Sequence, residues 1–463
     1  MSQNSLKLHG KNVLVVGLGK SGRSAIEFCR GQGATVTVSD SSPAMPADTA
    51  WLAEKGIASE FGGHSREFCL TTDLVLISPG VPYDLPIFQE AKAKGIPVIG
   101  ELALAPRYLK TPVIAVTGTN GKTTVTTLIG DLLRASNRNV FVGGNIGTPL
   151  TEYLMTTQEA EWLVLEVSSF QLDAAGSFRP EIGVLLNLSP DHLDRYASFD
   201  DYAIAKLNLF AHQHQDDVSI TNQDDPDTVR LTDGMKSLRP GWTARRCLSF
   251  GRRINGRNGA ELQGSTVRLE GDWLNSPDDQ YELQGSALSH SPNLENAAAA
   301  ILAARAAGCP PAGIKQGLAA FHLLAHRMTL AAEIDGVRYI DDSKATNIGA
   351  VQAALEGMTA PVVLIAGGRD KGGDYRLMAD QVRSKVKAML LIGEAKDQMA
   401  AVFETMTRVE RLESMAQAVK RAHELACPGE VVLLSPACSS FDMFSGYVER
   451  GKVFTDLAIG LHG

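Results

Sequence analysis

The chain has 463 residues, with 44 Lys and Arg against 52 Asp and Glu and a formal net charge of −8 at pH 7. At ~150 residues per domain the length predicts about three domains, and an acidic chain with no basic run argues against a nucleic-acid partner. No apolar run approaches the ~20 residues of a membrane span; the N-terminus MSQNSLKLHG lacks a signal-peptide core; and the cysteines (Cys29, Cys69, Cys247, Cys309, Cys427 and Cys438) form no CxxC pair, which predicts neither a disulfide framework nor a zinc site and points to a reducing cytoplasm.

In chain order, Asn12–Val16 (NVLVV) reads as a first strand, followed by the glycine turn Gly17–Gly22 (GLGKSG) and an amphipathic stretch around Arg23–Arg30. Ala34–Ser39, Asp73–Ser78 and Pro97–Ile99 read as further strands. Strands alternating with helical stretches predict a parallel sheet with crossover helices. Ala105–Thr111 reads as a linker. Pro112–Thr117 (PVIAVT) opens a second α/β unit, with buried strands expected at Trp162–Val167 and Ile182–Leu188. Residues 250–290 are polar, Gly-rich and partly alternating, and read as a small antiparallel excursion. Asn296–Ala307 is an alanine-rich helix stopped by the Gly308–Pro311 break. A third unit begins near Leu324, with strands expected at Gly336–Ile340, Pro361–Ala366, Ala388–Gly393 and Glu430–Ser435. The expected class is α/β with three domains: Rossmann-like over 1–109, a P-loop ATPase-type parallel or mixed sheet over 110–323, and Rossmann-like over 324–463.

The strongest local signal is VTGTNGKTT (Val116–Thr124), which closes an apolar strand and opens a helix. Backbone N–H groups of such a loop and helix N-terminus face phosphates. Lys122 would neutralise phosphate charge, and the Thr123 hydroxyl would reach Mg²⁺. The Walker pattern has glycine six residues before the lysine, where this chain has Val116. GLGKSG satisfies G-x-G-x-x-G, with Asp40 ending the next strand, a dinucleotide-binding pattern that also accepts other diphosphates. Taken alone it would suit a nicotinamide-dependent oxidoreductase, just as the phosphate loop alone would suit an NTPase switch.

Glu166 ends the WLVLEV strand beside that loop and is placed to hold Mg²⁺ directly or through water. SPDHLDRY (Ser189–Tyr196) follows the next strand, with His192 between Asp191 and Asp194. In the third unit, AHRM (Ala325–Met328), DDSKATN (Asp341–Asn347), AGGRDKGGD (Ala366–Asp374) and SPACSSFDMF (Ser435–Phe444) look like one site assembled from strand-end loops.

VTGTNGKTT, EVSSFQL (Glu166–Leu172), DHLDRY, DDSKATN and SPACSSFD, in this order, resemble the Mur ligases of bacterial peptidoglycan synthesis, most closely the branch that adds D-glutamate. The resemblance spans roughly Lys11 to Asp456. It implies an ATP-dependent amide ligase: ATP phosphorylates the carboxylate of UDP-N-acetylmuramoyl-L-alanine, and the amine of D-glutamate displaces phosphate from the acyl phosphate.

It further implies two Mg²⁺ ions held by Thr123, Glu166, His192 and Lys206, the lysine carbamylated because an ammonium cannot ligate a cation. Lys122, Glu166, His192 and Lys206 become the catalytic candidates. ATP is expected on Gly118, Thr119, Asn120, Gly121, Lys122, Thr123 and Thr124, with Asn293, Asn296, Arg327 and Asp342. The UDP substrate is expected on Lys20, Ser21, Asp40, Ser41, Ser78, Gly80 and Asn145, so GLGKSG is reassigned from a dinucleotide to UDP. D-Glutamate is expected near Lys344, Thr346, Lys371, Ser440, Phe441 and Tyr447, whose cations and hydroxyls suit its two carboxylates. Pro292 stands where the family often has His, Asp341 where Asn is common, and Tyr447 where Phe is expected. A cytoplasmic monomer is expected, with the third unit rotating onto the second when ligands bind.

Overall fold

The computed structural model describes residues 6–193, 195–238, 246–254, 256–271 and 279–462. Asp194, and residues 255 and 272–278 of the expected antiparallel excursion, lie outside them.

Three sheets follow one another along the chain. The first holds β1 (Asn12–Val16), β2 (Thr35–Asp40), β3 (Ala58–Phe61), β4 (Leu74–Ile77) and β5 (Val98–Gly100), all parallel, in the order β3-β2-β1-β4-β5. The order reverses between β1 and β4, so the glycine turn after β1 and the Ser78–Gly80 loop after β4 meet at one crevice, where open α/β sheets bind ligands. The turn is tight: a Cβ on Gly22 would land on the Gly17 carbonyl, which is why the helix Lys20–Gly31 needs glycine there.

The second sheet holds β6 (Val113–Thr117), β7 (Val140–Gly144), β8 (Trp162–Glu166), β9 (Ile182–Leu185), β10 (Val218–Asn222), β11 (Arg246–Gly251), β12 (Gly259–Gln263), β13 (Thr266–Glu270) and β14 (Gln280–Glu282). Its order is β14-β13-β12-β11-β10-β9-β6-β8-β7. The expected antiparallel excursion is the β12–β13–β14 meander, which extends the parallel sheet rather than standing apart from it. The helix Asn293–Ala306 is buried all round, with Ala297 to Ala304 fully covered. Alanine at those positions lets it lie close against the helix Lys122–Ala135 and the sheet.

The third sheet holds β15 (Thr329–Ile334), β16 (Val337–Asp341), β17 (Val362–Gly367), β18 (Val386–Ile392), β19 (Arg408–Arg411) and β20 (Val431–Leu434), in the order β15-β16-β20-β17-β18-β19. Only β15 runs antiparallel, as a hairpin with β16. The outer sheets are Rossmann-like, and the whole agrees with the expected α/β class.

The apolar cores set which parts move together. One continuous cluster joins Val13, Val15 and Val38 of the first sheet to Leu102, Leu104, Leu150, Tyr153, Phe178 and Phe210. Burial of each such large side chain contributes roughly 1.5–3 kcal/mol, so the first two units are welded together. The third sheet keeps two clusters of its own, which contain no residue before Met328 among the described residues. Its junction with the second unit is polar.

Candidate active site

The strand β6 ends at Thr117, and the chain turns through Gly118–Gly121 into the helix Lys122–Ala135. Gly121 sits at φ 85°, and a Cβ there would land on Asn296 Oδ1. Thr119 Oγ1 donates to the Ser189 carbonyl (3.2 Å) and accepts from the Ser189 N–H (3.0 Å) and the Tyr202 hydroxyl (3.1 Å). The Asn120 N–H donates to Asn187 Oδ1 (2.8 Å). The loop is thus tied to the segment after β9 before any ligand arrives. Lys122 Nζ donates to the carbonyls of Gly118 (2.9 Å) and Thr119 (2.7 Å), holding its ammonium at the loop. Burial lowers the Lys122 pKa, and Glu166 and Asp191 oppose that by favouring the charge.

Val116 and Glu166 are partners across β6 and β8, which puts the Glu166 carboxylate beside the loop. Its Oε1 accepts from Asn145 Nδ2 (2.9 Å); its Oε2 is buried without a hydrogen-bond partner. A buried, unmatched carboxylate oxygen is costly unless a cation meets it. Lys206, on the helix Phe199–Leu207, is 2% exposed, with Nζ 4.5 Å from the Tyr202 ring centre. Burial, reinforced by Lys122, pulls its pKa down, while Asp191, Glu166 and Asp173 oppose the shift. His192 takes φ 55° and meets the edge of Phe170 at 4.9 Å.

Ser168 and Gln171 of EVSSFQL do local work. They form a capping box on the helix Ser169–Asp173, the Ser168 Oγ accepting from the Gln171 N–H (3.2 Å) and the Gln171 Oε1 accepting from the Ser168 N–H (3.0 Å).

Across the polar junction the third unit supplies Arg327, Lys344, Thr346 and Lys371 to the same cavity, which has a volume of about 320 Å³ and also touches Thr123, Glu166, His192 and Lys206. Lys371 Nζ lies 3.7 Å from Asp191 Oδ1, and Asn347 Nδ2 donates to Asp191 Oδ2 (3.1 Å) and Asn120 Oδ1 (3.1 Å). Burial pulls the Asp191 carboxyl upward, but Lys371, His192 and Lys122 outweigh it and keep the group ionised. Burial lowers Lys344 to about 8, with Arg327 adding to the shift. This gathering of cations explains how a chain of net charge −8 can attract anionic ligands: the local field decides.

A second cavity of about 480 Å³ opens past Gly121 and Thr124, between Asn293, Asn296 and Asp342. It also touches Asn120, Arg327 and Lys344, so the two spaces meet at the phosphate loop. Asp342 is buried and accepts from the Ser435 hydroxyl (2.9 Å); burial raises its carboxyl to about 7.

Not every expected contact lines these spaces. Tyr447 lies behind Lys344, whose Nζ is 3.9 Å from its ring centre, while Ser440 is buried and Phe441 is 65% exposed; none of the three lines either cavity. The Lys20, Ser21, Asp40, Ser41, Ser78 and Gly80 group lies in the first unit, at the crevice between β1 and β4. There Asp40 accepts from the backbone N–H groups of Leu18 and Ser42 (2.7 Å each), and the Ser78 hydroxyl donates to the Gly17 carbonyl (3.0 Å). Asn145 belongs with Glu166.

The structure adds groups outside the expected set. Asn347 bridges the two units. His326 Nδ1 meets Asp341 Oδ2 at 2.6 Å. Arg450, 1% exposed, ties two third-unit loops together by donating to the Ser343 hydroxyl (3.0 Å) and carbonyl (2.8 Å) and to the Cys438 carbonyl (3.1 Å). Asn347 carries a sequence signal, an N-cap residue directly before an apolar run. Arg450 has none.

Among the described residues, no group of three His, Cys, Asp or Glu is gathered that could hold a metal. Glu166 with its orphan Oε2 and the Thr123 hydroxyl suit Mg²⁺, which keeps several waters and takes substrate phosphates as ligands.

Family models match in order along the chain: a Mur ligase MurD-like N-terminal domain over 11–100, a Mur ligase middle domain over 116–304 and a Mur ligase glutamate ligase domain over 326–438. The UDP-N-acetylmuramoylalanine–D-glutamate ligase of Syntrophotalea carbinolica is 43% identical over 455 residues, 98% of each chain. The chain belongs to the Mur ligase family. The like-named ligase of Desulfotalea psychrophila is 45% identical over 444 residues, covering 95% of this chain and 94% of its own. Among solved structures, the Mur ligase fold recurs in the UDP-N-acetylmuramate–alanine ligase of Thermotoga maritima, with a TM-score of 0.59 at 19% identity over 97% of this chain and all of that one. It recurs again in the MurF ligase of Thermotoga maritima, solved in complex with ADP, with a TM-score of 0.59 at 18% identity and coverage of 100% and 98%. Mur ligases are ATP-dependent amide ligases, which is the chemistry the phosphate loop and the cationic cavity suit.

Proposed function

We propose that this Mur ligase joins D-glutamate to UDP-N-acetylmuramoyl-L-alanine at the expense of ATP, in the assembly of peptidoglycan precursors. The observation that carries the reading is the convergence of the phosphate loop, the Glu166 carboxylate and the third-unit cations Arg327, Lys344 and Lys371 on one cavity.

A carboxylate is inert toward an amine until one of its oxygens becomes a leaving group. The substrate carboxylate attacks the γ-phosphorus of ATP, the bond to the β-phosphate oxygen breaks, and ADP departs. The amine of D-glutamate then attacks the acyl carbon, the amide forms, and phosphate leaves with the former carboxylate oxygen. Phosphoryl transfer asks the protein for positioning and charge neutralisation rather than covalent help. The loop N–H groups and Lys122 serve the phosphates, and Asn293, Asn296, Arg327 and Asp342 serve the remainder of the nucleotide.

Thr123 and Glu166 would hold one Mg²⁺, and His192 with Lys206 a second; bound there, Mg²⁺ would neutralise charge developing on the phosphates. Lys206 would serve as a ligand once carbamylated, because an ammonium cannot coordinate a cation. For D-glutamate, Lys344, Thr346 and Lys371 are the side chains that face the cavity. Ser440, Phe441 and Tyr447 would contribute only if the third unit shifts. The corresponding division is 1–109 for the nucleotide-sugar, 110–323 for ATP and 324–463 for the amino acid. No described helix is long and apolar enough to cross a membrane, and we take the enzyme to work as a cytoplasmic monomer.

The deciding experiment is phosphate release across a panel of UDP-muramoyl substrates and amino acids. Turnover only with UDP-N-acetylmuramoyl-L-alanine plus D-glutamate is expected. Hydrolysis of ATP without an amino acid, or turnover with another acceptor, would overturn the reading.

A further inference from the structure

We infer that Arg195 is a substrate-binding residue lent by the central unit to the first: its guanidinium exchanges the Gly80 carbonyl for the diphosphate of the nucleotide-sugar. This rests on the function proposed above.

The first unit is poor in cations where a diphosphate would lie. Its strand-end loops offer backbone N–H groups from GLGKSG, the hydroxyl of Ser78 and the anionic side chain of Asp40. The lysine of the motif, Lys20, directs its ammonium to the Gly147 carbonyl of the central unit (2.6 Å). The cations Lys122, Arg327, Lys344 and Lys371 are gathered at the other cavity. A diphosphate in this crevice therefore lacks a bidentate partner from its own unit.

Arg195 is in position to be that partner. Both of its terminal nitrogens donate to one acceptor, the Gly80 carbonyl, at 3.3 Å each. Two long bonds to a single oxygen leave most of a five-donor fork unused. Among the described residues no carboxylate forms an ion pair with it. The guanidinium rests on the Phe170 face, 4.6 Å from the ring centre, and Phe170 in turn stacks on Tyr196 (5.7 Å, 6° between planes). The platform holds the charge at the Ser78–Gly80 loop, beside the GLGKSG turn.

The backbone gives the placement a consequence. The N–H groups of Arg195 and Tyr196 donate to the His192 carbonyl at 2.9 and 3.1 Å. One turn thus carries His192 into the reaction cavity and Arg195 to the nucleotide-sugar crevice. A diphosphate drawn to Arg195 would steady the turn that positions His192.

The test uses the full-length enzyme with Arg195→Gln and Arg195→Lys. Arg195→Gln is expected to raise KM for the UDP-muramoyl substrate by roughly 10- to 100-fold, the range of a charge-assisted hydrogen bond, with KM for ATP and for D-glutamate held within about twofold. Calorimetry with UDP and UMP reads the diphosphate directly: the glutamine variant should lose most of the preference for UDP, and the lysine variant should keep part of it. Equal shifts in all three KM values would overturn the inference. So would a raised KM with the UDP preference intact, which would assign Arg195 to the acyl arm. Wild-type enzyme that binds neither UDP nor the UDP-substrate would instead fell the ligase reading itself.

Discussion

Asn347 offers the sharpest probe of the junction between the second and third units. Its side chain does two separable things. Its Oδ1 accepts from the Ala350 N–H (2.9 Å), capping the helix Ile348–Glu356, and its Nδ2 reaches across the cleft to Asn120 Oδ1 and Asp191 Oδ2, at 3.1 Å each. Serine caps a helix about as well as asparagine, so Asn347→Ser keeps the first role and removes the second. A neutral hydrogen bond is worth ~0.5–1.5 kcal/mol net and one to a charged group ~1.5–3 kcal/mol. Asn347 is only 8% exposed, but Asn120 and Asp191 regain water when the cleft opens, so about half of the sum is a fair expectation, or ~1–2 kcal/mol. That shifts the closing equilibrium roughly 5- to 30-fold. The expected outcome is a fall in kcat/KM for D-glutamate of that size, a melting temperature within about 2 °C of wild type, and less compaction in X-ray scattering with an ATP analogue and acyl substrate. Asn347→Asp should be worse, because it keeps the cap but sets a second carboxylate against Asp191. Unchanged kinetics and unchanged scattering in Asn347→Ser would refute the bridge as a closing contact.

Three further outcomes are expected. Lys371→Ala should raise KM for D-glutamate at least tenfold more than KM for ATP, since an anion loses its cation; steady-state kinetics showing equal shifts would argue against the placement. Lys206→Ala should abolish turnover and recover part of it with added short carboxylates, which can supply the missing oxygen; a mutant that turns over normally would sink the carbamate. The Asp342 carboxyl carries a pH signature: burial raises it from 3.8 to about 7, so between those values the folded chain holds a proton that the unfolded chain has lost. Its stabilisation is complete below 3.8 and disappears as pH rises through about 7, with a ceiling of about 4 kcal/mol. The unfolding free energy of wild type minus that of Asp342→Asn, from urea melts without ligand, should fall between roughly pH 4 and pH 7; a flat difference would count against the buried carboxyl.

Legibility in the sequence followed the range of the interactions. The strand NVLVV, the glycine turn behind it and the phosphate loop with its helix all depend on neighbours within a few residues, and each stands where its pattern predicts. The strands β3, β7, β15 and β19 border their sheets, where one side faces solvent and polar residues such as those of ASEF in β3 and RVER in β19 are tolerated. The inner strands β10 and β11 carry a weak strand signal because serine and threonine interrupt their apolar runs.

In the site, the sequence by itself determined the chemistry: Lys122 and Thr123 on a phosphate loop, Glu166 at a strand end, and acidic, basic and small residues in the third unit's loops. Tertiary structure decided the company those residues keep. It set Lys371 against Asp191 across the junction, left Glu166 Oε2 without a donor, turned Ser168 and Gln171 to capping, and kept Ser440, Phe441 and Tyr447 off the cavity walls. It also placed Arg195 on Gly80. The physical reason is that turn chemistry and apolar periodicity act over a few residues, whereas these contacts join segments brought together only when three separate sheets have packed.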